Sequence, residues 1–407
     1  MRILLLTQIL PFPPDSGPKV KTFHLIQHLA RHHEVTLVSL VRSEAEAAKA
    51  AELRGLCAAV HTVLLKRSRP RDAFHLAAST VSGDSFIMRR DDSPALRALL
   101  AELTRRQHFD IVHADQLNMA QFAVDLPAGA RVLDEHNAVW TIVQRMAEQS
   151  TYAKRVGLEL EARRLRRYEA RICARFDGLL AVSEPDRRFL ELAATEAGVT
   201  LPPTAVIPIA VDAQGQPPVL REPAPLMILS MATMFWPPNV DGVLWFAREV
   251  YPLVRRAVPE AHFAVVGARP PQSVRRLAET DPSIEVTGYV EDPRPFLERT
   301  AALIVPVRAG GGMRVKILEA MARGLPIVST TIGYEGIELT PGEQLLVGDT
   351  PEAFARALIS LLRDPAQGRR LAAAGRRIAE ERYDWRVVNP HVDALYETAL
   401  ARAAVVA

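Results

Sequence analysis

Residues 308–330 read RAGGGMRVKILEAMARGLPIVST. Three consecutive glycines, Gly310, Gly311 and Gly312, join a strand-like run ending at Val307 to a helix-like run that stops at Gly324, with Pro326 just beyond. Glycine and proline at those places are usual stop signals of a helix. The order is strand, loop, helix, strand, the repeating unit of a parallel α/β sheet. Glycines let backbone N–H groups turn toward a ligand unobstructed, and a helix N-terminus adds partial positive charge, so the loop suits a phosphate. Arg314 and Lys316 bring full charges to the same place. Val315, Ile317, Leu318, Ala320, Met321 and Ala322 cover most of the helix and leave Lys316, Glu319 and Arg323 on one polar stripe. Such a stripe lies on a cleft or a seam; the plainer reading is a Glu319–Arg323 pair on a solvated edge, worth only tenths of a kcal/mol. A Walker loop is excluded because Gly-Lys-Ser/Thr is absent. A dinucleotide fingerprint is excluded because no strand opens into Gly-x-Gly-x-x-Gly.

Outward from this stretch the same grammar repeats. Before it, LMILSMA (226–232), AHFAVVG (261–267), IEVTGYV (284–290) and AALIVPV (301–307) have strand length, with helical segments between them; LPIVST (325–330) and EQLLVG (343–348) follow. The N-terminal half shows RILLL (2–6), EVTLVSL (34–40), VHTVLL (60–65), FDIVHA (109–114), ARVLDEH (130–136) and DGLLAVS (177–183). Continuous apolar runs of this kind are typical of buried parallel strands. Between Pro208 and Leu226 lies a proline-rich stretch without helical period, which reads as an interdomain linker. The expected division is 1–207, a linker at 208–225, a second α/β domain at 226–384, and a C-terminal helix at 385–407 able to pack back on the N-terminal domain. Two doubly wound domains facing each other leave a cleft where strand C-termini and helix N-termini converge.

Composition sets outer limits. The 407 residues include 50 Lys and Arg against 47 Asp and Glu, a formal charge of +3, too small to imply a nucleic-acid partner. Cys57 and Cys173 are the two cysteines, far apart and without metal-ligand spacing, so a reducing, cytoplasmic setting and no zinc site are expected. The N-terminal MRILLLTQILPFPP reads as a first strand and not as a signal peptide, and no apolar stretch reaches the roughly 18 residues of a membrane span.

Other segments carry candidate chemistry. In PFPPDSGPKVK (11–21), Gly17 and Pro18 stand at a loop-to-helix junction with Ser16 or Asp15 as cap and Lys19 just behind. An ordinary loop with Lys19 and Lys21 solvated is the competing reading. VLDEHNAVW (132–140) ends a strand with Asp134, Glu135, His136 and Asn137, too many polar groups for a core segment; His113 in IVHADQ is its competitor. RRLRRYEARICAR (163–175) holds six arginines, which read as a solvated face paired with Glu159, Glu161 and Glu169, or, less simply, as a contact with an anionic membrane surface.

GGGMRVKILEAMARGLPIVSTTIGYEGI resembles the C-terminal signature of family 4 (group 1) glycosyltransferases of the GT-B fold, in a Gly-rich subgroup similar to cell-surface polysaccharide biosynthesis enzymes. The resemblance extends through VLDEHNAVW, LLAVSEPDRRFL, FWPPNVDGVLWF, VTGYVEDPRPFL and the terminal YDW. It implies two Rossmann-like domains, acceptor side first and nucleotide-sugar side second, and retaining transfer from a nucleotide diphosphate sugar to an unidentified hydroxyl acceptor, with a lipid-linked one among the options. Lys316 matches the lysine that holds the donor diphosphate, and Glu319 the glutamate that holds the ribose hydroxyls. His136 falls beside the donor sugar, Gly17 in the loop approaching the phosphates, and Tyr289 and Val290 where the backbone meets the base. Lys19 and His113 are acceptor-side candidates. The commoner signature has a second glutamate eight positions before Glu319, where this chain has Gly311; Arg314 is the expected source of extra positive charge. With no Asp-x-Asp motif, neither metal nor cofactor is expected. The alternatives are a non-hydrolysing sugar-nucleotide epimerase, a phosphorylase with pyridoxal on a buried lysine, or a catalytically silent nucleotide-sugar-binding subunit.

Overall fold

Every strand predicted as a buried apolar run lies in one of two parallel sheets. The computed structural model describes residues 1–65, 72, 75, 78, 79, 85–148, 150–220 and 226–406. They divide into two compact units, Met1–Ala210 with Val388–Ala407, and Val211–Val387.

The first unit contains β1 (Arg2–Thr7), β2 (Glu34–Val41), β3 (Ala59–Leu64), β4 (Ile111–Asp115), β5 (Ala130–Glu135), β6 (Gly178–Ala181) and β7 (Thr204–Val206). They are ordered β3-β2-β1-β4-β5-β6-β7, all parallel. The chain therefore reverses its direction of winding between β1 and β4, the place where open α/β sheets bind ligands at their carboxyl ends. The helices that matter for the site are α1 (Gly17–Leu29), α2 (Val139–Glu148), α3 (Tyr152–Cys173) and α4 (Glu184–Ala197). Leu4, Leu6, Val112, Ala114 and Leu133 of the central strands are buried in one core with Leu165 and Cys173 of α3.

The second unit repeats the plan with β8 (Met227–Met231), β9 (His262–Val266), β10 (Ile284–Gly288), β11 (Thr300–Val305), β12 (Ile327–Ser329) and β13 (Leu346–Val347), ordered β10-β9-β8-β11-β12-β13. Its reversal falls between β8 and β11. Helix α5 (Pro237–Trp245) follows β8, α6 (Val315–Ala322) follows β11, and α7 (Pro365–Arg382) packs on α6. Gly242 of α5 lies so close to the Pro306 carbonyl that a Cβ would stand 2.3 Å from it, which fixes α5 against the loop after β11.

The proline-rich stretch enters the second unit at Val211, whose N–H donates to the Tyr383 carbonyl and whose carbonyl accepts from Trp385. Residues 221–225 of the expected linker lie outside the described residues. Helix α8 (Pro390–Val406) belongs to the first unit: the Asn389 amide just before it donates to the His24 carbonyl at 2.9 Å, and the Tyr396 hydroxyl lies 2.7 Å from His113 Nδ1.

Candidate active site

In the second unit, β11 ends at Val305 and the chain passes through Pro306–Met313 into α6. Gly310 (φ +100°) and Gly312 (φ +82°) take the left-handed backbone that side chains disfavour, and Gly311 between them does not. This turn aims Arg314 back over the loop, where its guanidinium donates to the Gly311 carbonyl at 2.5 Å. Arg314 itself has extended backbone (φ −95°, ψ 93°), so α6 begins at Val315. That corrects the expected start near Gly312: the glycine loop is two residues longer, and Arg314 is the cap residue rather than part of the first turn. Ile317, Leu318, Ala320, Met321 and Ala322 are buried, while Lys316 and Glu319 stay on the partly open face.

Lys316 reaches across to α5, where its ammonium donates to the Asn239 side-chain carbonyl at 2.9 Å. The Asn239 amide in turn donates to the Thr233 carbonyl in the loop after β8 at 3.0 Å. Desolvation, helped by the neighbouring Arg314 guanidinium, pushes Lys316 down to about 7. An anion placed here meets two cationic side chains, a helix N-terminus and a glycine loop at the carboxyl ends of the two strands that flank the reversal. Glu319, three residues on along the same face, has 39% of its side chain exposed and lies 3.9 Å from Arg323, too long for a strong pair. At the end of β10, Gly288 (φ +80°) turns the chain, Tyr289 is largely exposed and Val290 half-buried.

The first unit holds a denser polar cluster at the ends of β4 and β5. His136 Nε2 lies 3.0 Å from Asp115 Oδ1 and 3.7 Å from Asp134 Oδ2, and Gln116 Nε2 is 3.4 Å from its Nδ1. A carboxylate only accepts, so Nε2 carries a proton. Burial works against a charged ring, yet Asp115 and Asp134 together hold His136 above its ordinary value. Lys21 of α1 is buried and donates to Asp134 in a very short ion pair, and Thr22 donates to Asp115 at 3.0 Å. Against burial, Lys21 and then His136 keep Asp134 well below the usual carboxylate range. Gln116, with φ +76°, is one of two non-glycine residues with positive φ among the described residues, and it stands where β4 gives way to the site.

One competing reading and one expectation are corrected here. Lys21 is not solvated: it is the counter-charge of the cluster. His113 does not end its strand; Asp115 does, and His113 is fully enclosed with Nδ1 on the Tyr396 hydroxyl, so it makes no direct contact with an acceptor. Burial also holds its pKa low, against the pull of Asp134. Lys19 pairs with Asp15 at 3.0 Å, and Gly17 opens α1 after Ser16, which adopts cap geometry without lending its hydroxyl.

The loop that carries His136 is tied down by two acids: Asp186, which the sequence reading does not name, and Glu169, which it places on a solvated face beside the arginines but which is fully buried. Glu169 of α3 accepts from the N–H groups of Val139 and Trp140 at 2.8 and 3.1 Å, capping α2 from a neighbouring helix, and Asp186 accepts from Ala138 N–H at 3.0 Å. Burial raises Glu169 to about 8, its two backbone bonds notwithstanding.

His113, Asp115 and Asp134 are the one group among the described residues with donor atoms close enough to share a metal, all within 4.8 Å of one another. Lys21 and His136 already compensate the two carboxylates. An open depression of about 430 Å³ lined by Arg2, His33, Glu34, His108 and Asp110 sits at the opposite, amino-terminal ends of the strands and includes none of these groups.

Residues 225–364, which contain the glycine loop, Lys316, Glu319 and Asn239, match the family model described as Glycosyl transferases group 1. The chain carries a group 1 glycosyltransferase domain. Among solved structures, sucrose-phosphate synthase from Thermosynechococcus elongatus superposes with a TM-score of 0.70 at 14% identity, over 98% of this chain and 100% of the other. HepE of Anabaena in complex with UDP and glucose gives 0.67 at 14% identity, over the same shares. The fold is GT-B. Among curated sequences, a GDP-mannose-dependent monoacylated alpha-(1-6)-phosphatidylinositol monomannoside mannosyltransferase of Corynebacterium glutamicum is 32% identical over 148 residues, 34% of this chain and 39% of its own length. An uncharacterized 44.6 kDa protein in the cps region of Klebsiella pneumoniae is 24% identical over 164 residues, 39% of this chain and 42% of its own. The matched stretch thus spans about two fifths of the length of these relatives. Within the matched stretch, the Gly-rich loop and α6 bring Arg314 and Lys316 together at the carboxyl ends of the strands.

Proposed function

We propose that this protein is a retaining glycosyltransferase that moves a sugar from a nucleoside diphosphate sugar to an acceptor hydroxyl, in synthesis of a cell-surface polysaccharide or glycolipid. The observation that carries the reading is the convergence of Lys316, Arg314 and the Gly310–Gly312 loop at the head of α6, braced by Asn239. In this reading the diphosphate lies on the loop, Glu319 accepts from the ribose hydroxyls, and the backbone at Tyr289 and Val290 meets the base. As the glycosidic bond breaks, negative charge grows on the departing diphosphate, and the two cations with the helix terminus stabilise it more than they stabilise the ground state. The leaving oxygen takes the acceptor proton on the same face. No metal is assigned, because side-chain cations supply the positive charge. His136, protonated at Nε2 and held by Asp115, serves as a fixed hydrogen-bonding group for the donor sugar, with Gly17 and Lys19 at the loop nearby in its own unit.

Support for a nucleotide sugar donor comes from the structural neighbour holding UDP and glucose, and for a surface glycan from the names of the curated relatives. The test is release of nucleoside diphosphate from a panel of UDP-, GDP-, ADP- and dTDP-sugars with and without hydroxyl acceptors, and the anomeric configuration of the product by NMR. Arg314→Ala with unchanged nucleotide affinity and turnover would remove Arg314 from the assignment. Nucleotide binding without turnover over the whole panel would favour a silent binding subunit, for which Gly311 in place of a glutamate is the motive; release independent of acceptor would favour an epimerase.

A further inference from the structure

The outward face of α3 is built from two blocks in one line. Tyr152, Val156 and Leu160 follow each other at intervals of four and are 84, 52 and 47% exposed. Arg163, Arg167 and Arg171 continue the same line at intervals of three, four and four, all exposed, and have no acidic partner among the described residues. Spacings of three and four keep all six side chains on one face of the helix. Two other arginines of this run behave differently: Arg166 pairs with Glu196 at 2.7 Å and stacks on Trp140, and Arg175 pairs with Asp125 at 2.6 Å. Glu159, the nearest acid on the flank, is already bonded to Arg155. Ala162, Leu165, Glu169 and Cys173 occupy the opposite, buried face. Scattered exposed apolar residues need no explanation. Three in register, prolonged by three uncompensated cations, do.

We infer that this stripe docks the protein on an anionic bilayer surface, with Tyr152, Val156 and Leu160 entering the boundary between headgroups and acyl chains and the arginines resting on lipid phosphates. Each block is about 12 Å long at 1.5 Å per residue, so the amino-terminal end of α3 sits deeper than the carboxyl end. A tyrosine at the deep end offers a ring to the acyl region and a hydroxyl to the headgroups. A nucleic acid would use the arginines but gives three bare apolar side chains nothing to bury against. No helix among the described residues is long and apolar enough to cross a membrane, so this contact lies on the surface and does not span it.

The test is co-sedimentation of the full-length chain with vesicles of phosphatidylcholine alone or mixed with phosphatidylglycerol. Binding is expected to the mixed vesicles only, and to weaken as salt is raised. The triple variant Arg163→Gln, Arg167→Gln, Arg171→Gln should lose roughly a hundredfold in partitioning. Val156→Asp with Leu160→Asp should lose binding too while keeping the circular dichroism and melting curve of the parent, since both sites are exposed. A Tyr152→Trp variant should be quenched by brominated acyl chains more strongly than an Arg171→Trp variant. No binding to the mixed vesicles, binding that neither the arginine nor the aspartate variant changes, or a self-association that the aspartate variant dissociates overturns the inference.

Discussion

Lys316 and Asn239 lie 2.9 Å apart and tie the helix after β11 to the helix after β8, the two strands between which the second sheet changes its direction of winding. Asn239 holds the ammonium without neutralising it, so the charge remains for an incoming anion. Replacing Lys316 by Met should therefore lower kcat/KM by at least roughly a hundredfold, about 3 kcal/mol. Asn239→Ala should cost less, because it loosens the ammonium but leaves it in place. Steady-state kinetics on the best donor of the panel separate the two; equal losses would mean that Asn239 itself meets the ligand.

The same lysine makes nucleotide binding pH-dependent. Its pKa in the free protein is near 7, far below the ordinary 10.5, so at pH 8 it is largely neutral. A bound diphosphate favours the ammonium and raises that value again. Binding at pH 8 should then take up close to one proton, and affinity should fall as pH rises from about 7 toward the pKa of the bound state. Calorimetry in two buffers of different ionisation enthalpy measures the uptake directly, and in Lys316→Met it should vanish.

How far the sequence reveals this site depends on distance along the chain. Parallel strands and the glycine loop are local signals, apolar runs bounded by Gly and Pro, and both sheets follow them to within a few residues. β7 is only three residues long between prolines and escapes that reading. The charged, alanine-rich segment after Ser43 reads as one helix but splits into Glu44–Ala48 and a 3-10 turn at Lys49–Leu53, since only Ala50 and Leu53 find a core to face. Contacts between distant residues leave no local trace: Lys21 and Asp134 are 113 positions apart, and His113 and Tyr396 are 283 apart. One local clue exists nonetheless: acids at the carboxyl ends of two neighbouring buried strands, Asp115 and Asp134, require a cation, and the first turns of the helix after β1 offer Lys19 and Lys21.

That requirement has a price in stability. Lys21→Met leaves the Asp134 carboxylate buried opposite His136 alone, and removal of one partner from a buried ion pair typically costs about 3–5 kcal/mol. The double variant Lys21→Met, Asp134→Asn should recover part of the loss, because the uncompensated charge goes with the lysine. Urea denaturation of the parent, Lys21→Met, Asp134→Asn and the double variant gives the coupling; additive losses would argue against a direct pair.

Gly310 and Gly312 are the positions of the loop where a side chain conflicts with the backbone. Alanine at either must hold a left-handed conformation costing roughly 1–2 kcal/mol, and at Gly310 its Cβ would also stand 3.2 Å from an Arg314 nitrogen. Gly310→Ala should accordingly weaken nucleotide binding more than Gly312→Ala, whereas Gly311→Ala should be nearly neutral. Isothermal titration with the nucleoside diphosphate ranks the three, and a large loss at Gly311 would show that the loop is read through space there rather than through its backbone angles.

Glu169 supplies the last expectation, in the opposite direction of pH from a surface carboxylate. Burial lifts it from 4.5 to about 8 in the folded protein, so between those values the folded state holds a proton that the unfolded chain releases. The contribution of this residue to stability is then greatest below pH 4.5 and declines as pH rises to about 8. Glu169→Gln keeps an acceptor for the N–H groups of Val139 or Trp140 but cannot ionise, and should flatten that decline. Denaturation midpoints of parent and variant at pH 5 and pH 8 decide it: the difference between the two proteins should shift in favour of the variant at the higher pH, and a constant difference would assign Glu169 a capping role with no titration inside this range. Because the capped residues directly follow the His136 loop, the same comparison made on donor affinity tests whether loosening that cap reaches the site.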